Sequence, residues 1–276
     1  MTISVQTNVS ALIALQNLNK TNDQLMTAQN VVSTGLQIST AKDNASVWAI
    51  AQAQRADVNS LTAVKSSLNR ASSIADVAMT AGSSISDLLN QVQAKVVAAQ
   101  DPSLDPASRS SINTDFQALL RQISDTVTNA QFDGANILDN SLPNGIQFLA
   151  NAQATSFITL SSQDFSLGGA LIAVGGGASL NTVTNSAVIL TQISRSIANV
   201  NAALGDIGSQ SQQIDAHNTF ISSLSDVLNS GISNLVDADM AAESAQLQAL
   251  QVRQQLGVQA LSIANTAPQI ILQLFK

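Results

Sequence analysis

The sequence contains one histidine, His217, within the stretch SQQIDAHNTF. Histidine is the side chain best suited to proton transfer and metal binding near neutral pH. A zinc site needs several ligands, however, and the chain has no cysteine, no second histidine and no HExxH pattern. His217 is therefore predicted to be an ordinary residue on a helix surface rather than a ligand or a general base.

The other residues with catalytic potential form no recognisable site. The glycines at 175–177 lack the following Lys-Ser/Thr pair of a phosphate-binding loop, so they indicate a turn. Asp237 and Asp239 lie where a last helix should begin, and acidic side chains there interact favourably with the helix dipole. The remaining carboxylates are scattered singly. The sequence thus predicts a protein that is not an enzyme and that binds no cofactor and no metal ion.

Charge and composition argue against two further classes of protein. The formal net charge is −7, and no Lys or Arg occurs between Arg121 and Arg195, so a nucleic-acid partner is not expected. No stretch has about 18 consecutive apolar residues, so a membrane partner is not expected either. The beginning, MTISVQTNVSALIALQNL, lacks the pattern of a cleaved signal peptide, so any export is expected to use another route.

The elements that would position any site are read from the hydrophobic periodicity. Two long stretches repeat apolar or small residues at alternating spacings of three and four, which is typical of a coiled-coil seam. The first seam consists of Leu61, Val64, Leu68, Ala71, Ala75, Ala78, Gly82, Ile85, Leu89, Val92, Val96 and Ala99. The second consists of Ile193, Ile197, Val200, Leu204, Ile207, Ser211, Ile214, Asn218, Ile221, Ser225, Leu228, Ile232 and Leu235. We expect the two helices to pair antiparallel, to approach closely near Gly82, and to have their register fixed by the polar seam residues.

Between the seams the pattern changes twice. The segment DPSLDPASR at 101–109 predicts a turn, and a second helix follows with Phe116 and Ile123 on its apolar face. This helix should end near QFDGANIL, where Gly134 can take a positive φ. Residues 143–180 contain glycine clusters and β-prone runs such as SFITL, which indicate hairpins. We expect this β region near the end of the helix pair that lies opposite the chain termini.

Both chain ends are periodic but almost uncharged. Residues 1–41 carry only Lys20 and Asp23 as charges, and residues 244–276 carry only Arg253 and Lys276. The apolar periodicity at the start runs through Val5, Val9, Leu12, Leu15 and Leu18. At the end it runs through Ala249, Val252, Leu256, Ala260, Ile263, Ala267, Ile270 and Leu274. A helix whose outer face lacks charge is marginal in water. These ends, including the tail NTAPQIILQLFK, are therefore expected to be ordered only when something covers them.

The two ends also resemble a known family. Residues 5–51 are similar to the N-terminal signature of bacterial flagellins. The similar residues are Thr7-Asn8, Leu18-Asn19-Lys20, Ser33-Thr34-Gly35-Leu36 and Ala41-Lys42-Asp43-Asn44-Ala45. NAQFDGANIL at 129–138 resembles the turn after the second helix of that family. Residues 235–275 resemble the C-terminal signature through Asp237-Ala238-Asp239, Glu243, Ala264-Asn265 and Pro268-Gln269.

The resemblance implies a structural subunit that polymerises into the extracellular filament used for swimming. The fold class would be mainly α, a long antiparallel coiled-coil rod with a small β-hairpin region. Residues 1–42 and 237–276 would form an inner coiled-coil domain, and residues 43–236 would form the rod, with the β region at about 139–180. Flagellins with an outer domain carry it where residues 139–185 lie here, so this would be a short form.

The implied partners are other flagellin subunits, hook-associated and cap proteins, the flagellar export apparatus and a chaperone. Contacts between subunits are expected at one set of apolar residues. This set is Leu12, Leu18, Leu25, Leu256, Ile263, Ile270 and Leu274. Residues of the β region are candidates for O-linked glycans on the outer surface, although they could equally be ordinary loop residues. They are Thr155, Ser156, Thr159, Ser161, Ser162, Ser179, Thr182 and Thr184.

Three alternatives compete with this interpretation. A hook–filament junction protein of the flagellum shares terminal helices of this kind. An enzyme on a flagellin scaffold would need a larger insertion than residues 139–185, which contain no histidine. A membrane-acting amphipathic protein would need a basic helix face, which these helices lack.

One family property is predicted to be weak in this chain. In flagellins a basic residue in the first seam commonly contacts the innate-immune receptor for flagellin, and the equivalent region here is Gln91, Gln93 and Lys95, with glutamines in the leading positions. Reporter cells that express this receptor should therefore respond weakly to the purified protein. Full potency at low concentration would contradict this prediction.

Overall fold

The computed structural model describes the backbone of residues 7–274 and the side chains of residues 7–266. The helices and strands follow in the order α1 (Val9–Thr34), α2 (Ala45–Ala98), α3 (Pro106–Asn129), β1 (Ile146–Leu149), β2 (Phe157–Leu160), α4 (Val183–Val236) and α5 (Met240–Leu274). The predicted mainly helical fold with a small antiparallel hairpin is confirmed. Two compact units are present, Met1–Ala56 with Val227–Lys276, and Asp57–Asp226. Within residues 7–274 no helix is long and apolar enough to span a membrane.

In the second unit α2 and α4 pack antiparallel along the predicted seams. Every residue of the first seam is buried, from Leu61 to Ala99. The second seam is buried or half-buried except at its last position, where Leu235 is exposed and Val236 is buried instead. Helix–helix burial of this kind supplies most of the stability of long helices, because their intrinsic propensity alone is marginal. The periodicity therefore located the core of this unit correctly.

Polar side chains beside the seam hold the pairing of α2 with α4 in one register. Four hydrogen bonds cross between the helices, with donor–acceptor distances of 2.7–3.3 Å. They join Asn69 to Asn218, Ser72 to Asp215, Ser86 to Asn201, and Gln93 to Ser194. From one bond to the next, the residue number rises along α2 by the same amount as it falls along α4. All four bonds therefore belong to one register. The predicted role of Asn218 is consistent with its bond to Asn69.

Helix α3 begins at a proline and is tied to the end of α2. Asp105 caps it by accepting a bond of 2.6 Å from the Ser108 N–H, and Pro106 occupies the first turn. This hydrogen bond lowers the pKa of Asp105. The buried Arg109 donates to the carbonyl of Ala99 and, at 2.9 Å, to that of Asp101, which satisfies acceptors left open where α2 ends.

The β hairpin has the predicted composition but a different location. Strand β1 pairs antiparallel with β2, with Ile146 opposite Leu160. The hairpin lies beside the part of α2 that starts this unit, since the Leu149 N–H donates to Ser67 and Gln153 donates to Asp57. The expectation that it lies at the opposite end was wrong. The loop after β2 instead runs along the unit, where it is held by side-chain bonds to its backbone.

Those bonds fix the course of the loop at several points. Its backbone is bonded by Gln210 at Ser161, by Ser196 at Ala173, by Asn199 at Leu171, by Gln117 at Ala178 and by Asn113 at Leu180. The loop also buries Phe165, Ile172 and Val174 against the helices. A buried loop is stable only when its backbone polar groups find partners, and the helices supply them.

The close approach predicted near Gly82 is present and gives a test of the packing. A Cβ at Gly82 would lie 2.5 Å from the Leu204 Cδ2 and 3.1 Å from the Phe165 Cε2, so Gly82→Ala should have a free energy of unfolding about 1–3 kcal/mol below that of Gly205→Ala. Gly205→Ala is the matched control, because a Cβ there meets nothing within 4 Å. Gly205→Ala should raise the free energy of unfolding by about 0.5–1 kcal/mol, because glycine within a helix is less favourable than alanine. Equal stabilisation of both variants in denaturant unfolding would show that the helices do not approach closely at Gly82.

Candidate functional site

The terminal helices α1 and α5 pack antiparallel through an inner face of mostly small and medium side chains. Leu25, Ala28 and Leu250 are buried there, and Leu247 packs against them. Further along, the Leu18 Cδ1 would lie only 3.1 Å from a Cβ at Gly257. The absence of a side chain at Gly257 therefore lets α1 come close. This inner face places the start of α1 beside the C-terminal part of α5, where Asn8 lies next to Ala264.

The residues that follow α1 are bonded to the segment that leads into α5. Gly35 takes the left-handed conformation that ends α1, with φ 71°, and its N–H donates to the Val31 carbonyl at 2.8 Å. Leu36 then forms an antiparallel bridge with Asp237. Two segments that carry the family resemblance, far apart in sequence, are therefore bonded to each other.

Acidic residues cap the turn before α2 and the start of α5. The carboxylate of Asp239 accepts from the backbone N–H groups of Ala241 and Ala242, as the predicted helix start requires. Asp43 accepts from the backbone and hydroxyl groups of Thr40 and Ser39, and the backbone bond from Thr40 is the main reason that the pKa of Asp43 is lowered. Its contribution is present while the carboxylate is ionised and is lost as the pH falls through this lowered pKa.

Opposite the inner face, α1 and α5 present a second apolar face to the outside. We call this the outer face; its members are Val9, Leu12 and Ile13 of α1 and Val252, Leu256 and Ile263 of α5. Their side chains are between 54% and 70% exposed. Large apolar side chains that a soluble protein leaves exposed along a helix often mark an interaction surface. Lys20, Asp23 and Arg253 are the only charges among residues 9–34 and 244–266, so few charged groups interrupt it.

The residues predicted for the subunit interface divide between these two faces. Leu12, Leu256 and Ile263 belong to the outer face. Leu25 is buried and Leu18 is half-buried on the inner face, so they already have partners within the chain. Ile270 and Leu274 lie outside the residues whose side chains are described.

Sequence reasoning selected residues of both faces, but it assigned Leu18 and Leu25 to contacts between subunits and did not recognise the inner face as a contact within the chain. The inner positions of α1 are Ala11, Ala14, Leu18, Thr21, Leu25 and Ala28. Those of α5 are Glu243, Leu247, Leu250, Gln254, Gly257, Leu261 and Ala264. Both sets keep the alternating spacing of three and four. Small and polar residues weaken the signal in hydrophobicity, but the spacing itself could have revealed it.

Comparison with known proteins decides the family. The family model for the bacterial flagellin N-terminal helical region matches residues 5–142, and the model for the C-terminal helical region matches residues 190–275. The chain belongs to the bacterial flagellins. It is the structural subunit of the extracellular flagellar filament and not an enzyme.

Full-length relatives of this flagellin agree with the family models. It is 49% identical to Flagellin FljJ of Caulobacter vibrioides over 278 residues, with 100% of this chain and 99% of the relative covered. It is 43% identical to Flagellin FljO of the same organism, with 99% and 98% covered, and 36% identical to a flagellin of Brucella melitensis, with 99% of each covered. These relatives support a flagellin over the alternative of a hook–filament junction protein.

A solved structure shares the fold but does not alter that conclusion. A putative flagellar hook-associated protein from Vibrio parahaemolyticus aligns with a TM-score of 0.56 at 15% identity, covering 71% of this flagellin and 100% of that chain. At this identity the likeness concerns the fold alone. It indicates that the packing of long helices is shared beyond flagellins.

In the region equivalent to the receptor contact, two of the three side chains form bonds within the flagellin chain. The Gln93 Nε2 donates to the Ser194 Oγ at 3.2 Å, and the Lys95 Nζ lies 2.6 Å from an Asp115 carboxylate oxygen. Gln91 is exposed. The one basic group of the region is thus paired with an acidic group of α3, and weak receptor activation remains a prediction.

His217 has a structural partner that the sequence did not reveal. Its Nε2 lies 2.7 Å from the Ala150 carbonyl, directly after β1, and its ring lies 5.8 Å from that of Phe220. The expectation of an ordinary surface position was therefore only partly right, because the half-buried ring anchors the hairpin to α4. Among residues whose side chains are described, no group of three potential ligands could hold a metal ion.

The predicted glycan acceptors differ in exposure and in hydrogen bonding. Thr155, Ser156, Thr159, Thr182 and Thr184 are exposed. The Thr155 hydroxyl accepts a 2.7 Å bond from Asn151, and that of Thr182 caps α4 at the Asn185 N–H. The half-buried Ser162 donates to the Ile137 carbonyl, and the half-buried Ser179 accepts from the Asn181 N–H. Ser161 is also half-buried. A transferase needs an exposed hydroxyl, so Ser156, Thr159 and Thr184 are the favoured acceptors.

This ranking predicts where any sugar is attached. If filaments carry O-linked glycans, the intact mass of the subunit should fall to the mass of the bare chain in the variant Ser156→Ala/Thr159→Val/Thr184→Val. The control variant Ser162→Ala/Ser179→Ala should keep the added mass. An added mass that survives the triple substitution would refute the ranking, and bare wild-type subunits would mean that these are ordinary loop and strand residues.

Proposed function

We propose that this flagellin contacts neighbouring subunits of the filament through the outer face of α1 and α5. The observation that carries the proposal is the high exposure of its large apolar side chains, with Leu256 58% and Ile263 70% exposed. Among the residues whose side chains are described, this face stays exposed while the inner face joins α1 to α5. Other copies of the same chain are the occupant that a filament provides.

Burial of this face is large enough to add considerable stability to both terminal helices. Full burial of one Val, Leu or Ile side chain is worth about 1.5–3 kcal/mol. The outer-face residues together therefore represent roughly 10 kcal/mol of gross stabilisation when neighbours cover them. Ordering of side chains and loss of rigid-body freedom oppose this gain, so several of these residues are needed and no single one suffices.

The nearly uncharged character of the outer face supports packing among identical subunits. Identical copies present the same charges to each other, and like charges brought together in a dry interface are strongly unfavourable. Apolar side chains avoid this repulsion. We propose on this basis that residues 1–42 and 237–276 form the inner coiled-coil domain of the filament and that residues 43–236 form the surrounding rod.

The further partners are proposed on family grounds. Hook-associated and cap proteins would meet the same outer face at the filament ends, because the face is present on every terminal subunit. A chaperone would shield the apolar ends before the export apparatus receives the chain. The support for this from the molecule itself is the same exposed apolar surface, which would otherwise invite aggregation.

Seeded polymerisation tests the proposal. Leu256→Ser/Ile263→Ser should raise the critical concentration for filament growth strongly, because both side chains lose their apolar burial, and electron microscopy should show few or no filaments. Removal of residues 265–276 should abolish filaments while residues 45–235 stay folded by circular dichroism. The matched control is Gln259→Ser, at an exposed polar position of the same helix.

Substitution on the inner face separates packing within the chain from packing between subunits. Leu250→Ala should loosen the α1/α5 pair and increase amide exchange in both helices, whereas Leu256→Ser/Ile263→Ser should leave exchange in the unassembled protein unchanged. Normal polymerisation of the outer-face variant or of the truncated chain would refute the proposed interface.

A further inference from the structure

Helix α5 continues through a proline. It extends from Met240 to Leu274, and Pro268 lies within it. Proline has no backbone N–H, so it cannot donate to the carbonyl four residues earlier, which belongs to Ala264. An interior proline normally kinks or ends a helix for this reason. The Ala264 carbonyl therefore needs a donor from elsewhere.

Asn8 supplies that donor from the other end of the chain. Its Nδ2 donates to the Ala264 carbonyl oxygen at 2.7 Å. The Oδ1 of the same side chain accepts from the Ala11 N–H at 3.1 Å and so caps the start of α1. The two ends of one amide group thus satisfy an open donor of α1 and an open acceptor of α5.

We propose that Asn8 replaces the hydrogen bond that Pro268 removes from α5, and that it thereby couples ordering of the last helical segment to the start of α1. A side chain with only an acceptor could cap α1 but could not donate to the Ala264 carbonyl. A side chain with only a donor could serve Ala264 but could not cap α1. An amide of this length does both, so Asn8 acts as a positioning residue for the two ends.

The coupling becomes stronger when the ends are covered. While water reaches the Ala264 carbonyl, a water molecule can take the place of Asn8 at small cost. Once neighbouring subunits exclude water, an unsatisfied buried carbonyl costs considerably more. The Asn8 bond therefore matters least in the free subunit and most in the filament, so α5 can extend beyond Pro268 only where α1 is correctly placed.

A double-mutant cycle between positions 8 and 268 tests this inference. Asn8→Asp and Asn8→Ser keep a good cap for α1, but the first loses the donor and the second is too short to reach Ala264. Pro268→Ala restores an N–H within α5, so Ala264 no longer needs Asn8. The control is Asn19→Asp, which makes the same charge change at an exposed position of α1. The full-length protein is used in all cases.

The measurements are the critical concentration for seeded growth and amide exchange of the α5 segment in assembled filaments. Asn8→Asp and Asn8→Ser should each raise the critical concentration by roughly tenfold with Pro268 present. With Ala at position 268 the same substitutions should change it less than twofold. If Asn8→Asp does not assemble, recovery of filaments in Asn8→Asp/Pro268→Ala supports the inference.

Three results would overturn it. The Asn8 variants could assemble like the wild type, they could be impaired equally in both backgrounds, or Asn8→Asp/Pro268→Ala could fail to recover. Amide exchange distinguishes these three results from a failure of the proposed interface between subunits. A lost Asn8 bond should increase exchange around Ala264 selectively, whereas loss of outer-face contacts should increase it along all of α1 and α5.

Discussion

The terminal helices carry more apolar surface than they can bury against each other, and the behaviour of the subunit follows from this. Among the residues whose side chains are described, each helix has two apolar faces and packs on the other helix through one of them. Leu25 and Leu250 meet on the inner face, while Leu256 and Ile263 remain exposed on the outer one. The inner face is built from smaller side chains, which allow close approach. The larger side chains stay exposed in the single chain, and we propose that contacts with neighbouring subunits cover them.

The α2/α4 pair is constructed on a different principle, because it is complete within the chain. Its seam is buried along its length, the loop after β2 covers it, and Phe165 reaches the side of Gly82. Its register is fixed by amide, hydroxyl and carboxylate groups at the seam edge, such as Asn69 with Asn218 and Gln93 with Ser194. Hydrogen bonds of this kind need correct geometry at both ends, so a shift by one turn would break all of them together.

Much of this architecture was predictable from the sequence, and the exceptions have physical causes. The seams from Leu61 to Ala99 and from Ile193 to Ile232 were identified because apolar or small residues recur there at regular spacing. In α1 and α5 the same criterion selected Leu12 and Leu256, which lie on the outer face, and also Leu18 and Leu25, which lie on the inner face but were assigned to contacts between subunits. The inner face as a whole was not recognised because Ala, Gly, Thr and Gln stand between its leucines and give little hydrophobic signal. The course of the loop and the partner of His217 were not predicted for another reason. Both depend on single side-chain hydrogen bonds between residues far apart in sequence.

The chain has few charged side chains, and this affects how its packing responds to salt concentration. Among residues whose side chains are described, the ion pairs are Lys95 with Asp115 and Arg70 with Asp133, and both are solvent-exposed. Exposed pairs of this kind contribute little and are screened by salt. The register of α2 with α4 rests mainly on apolar packing and on hydrogen bonds, and the contact of α1 with α5 rests on apolar packing, Gln254 with Asn22, and Asn8 with Ala264. Packing and neutral hydrogen bonds of this kind depend only weakly on ionic strength. An extracellular filament meets whatever salt concentration its surroundings have, and a subunit held in this way keeps its geometry across that range.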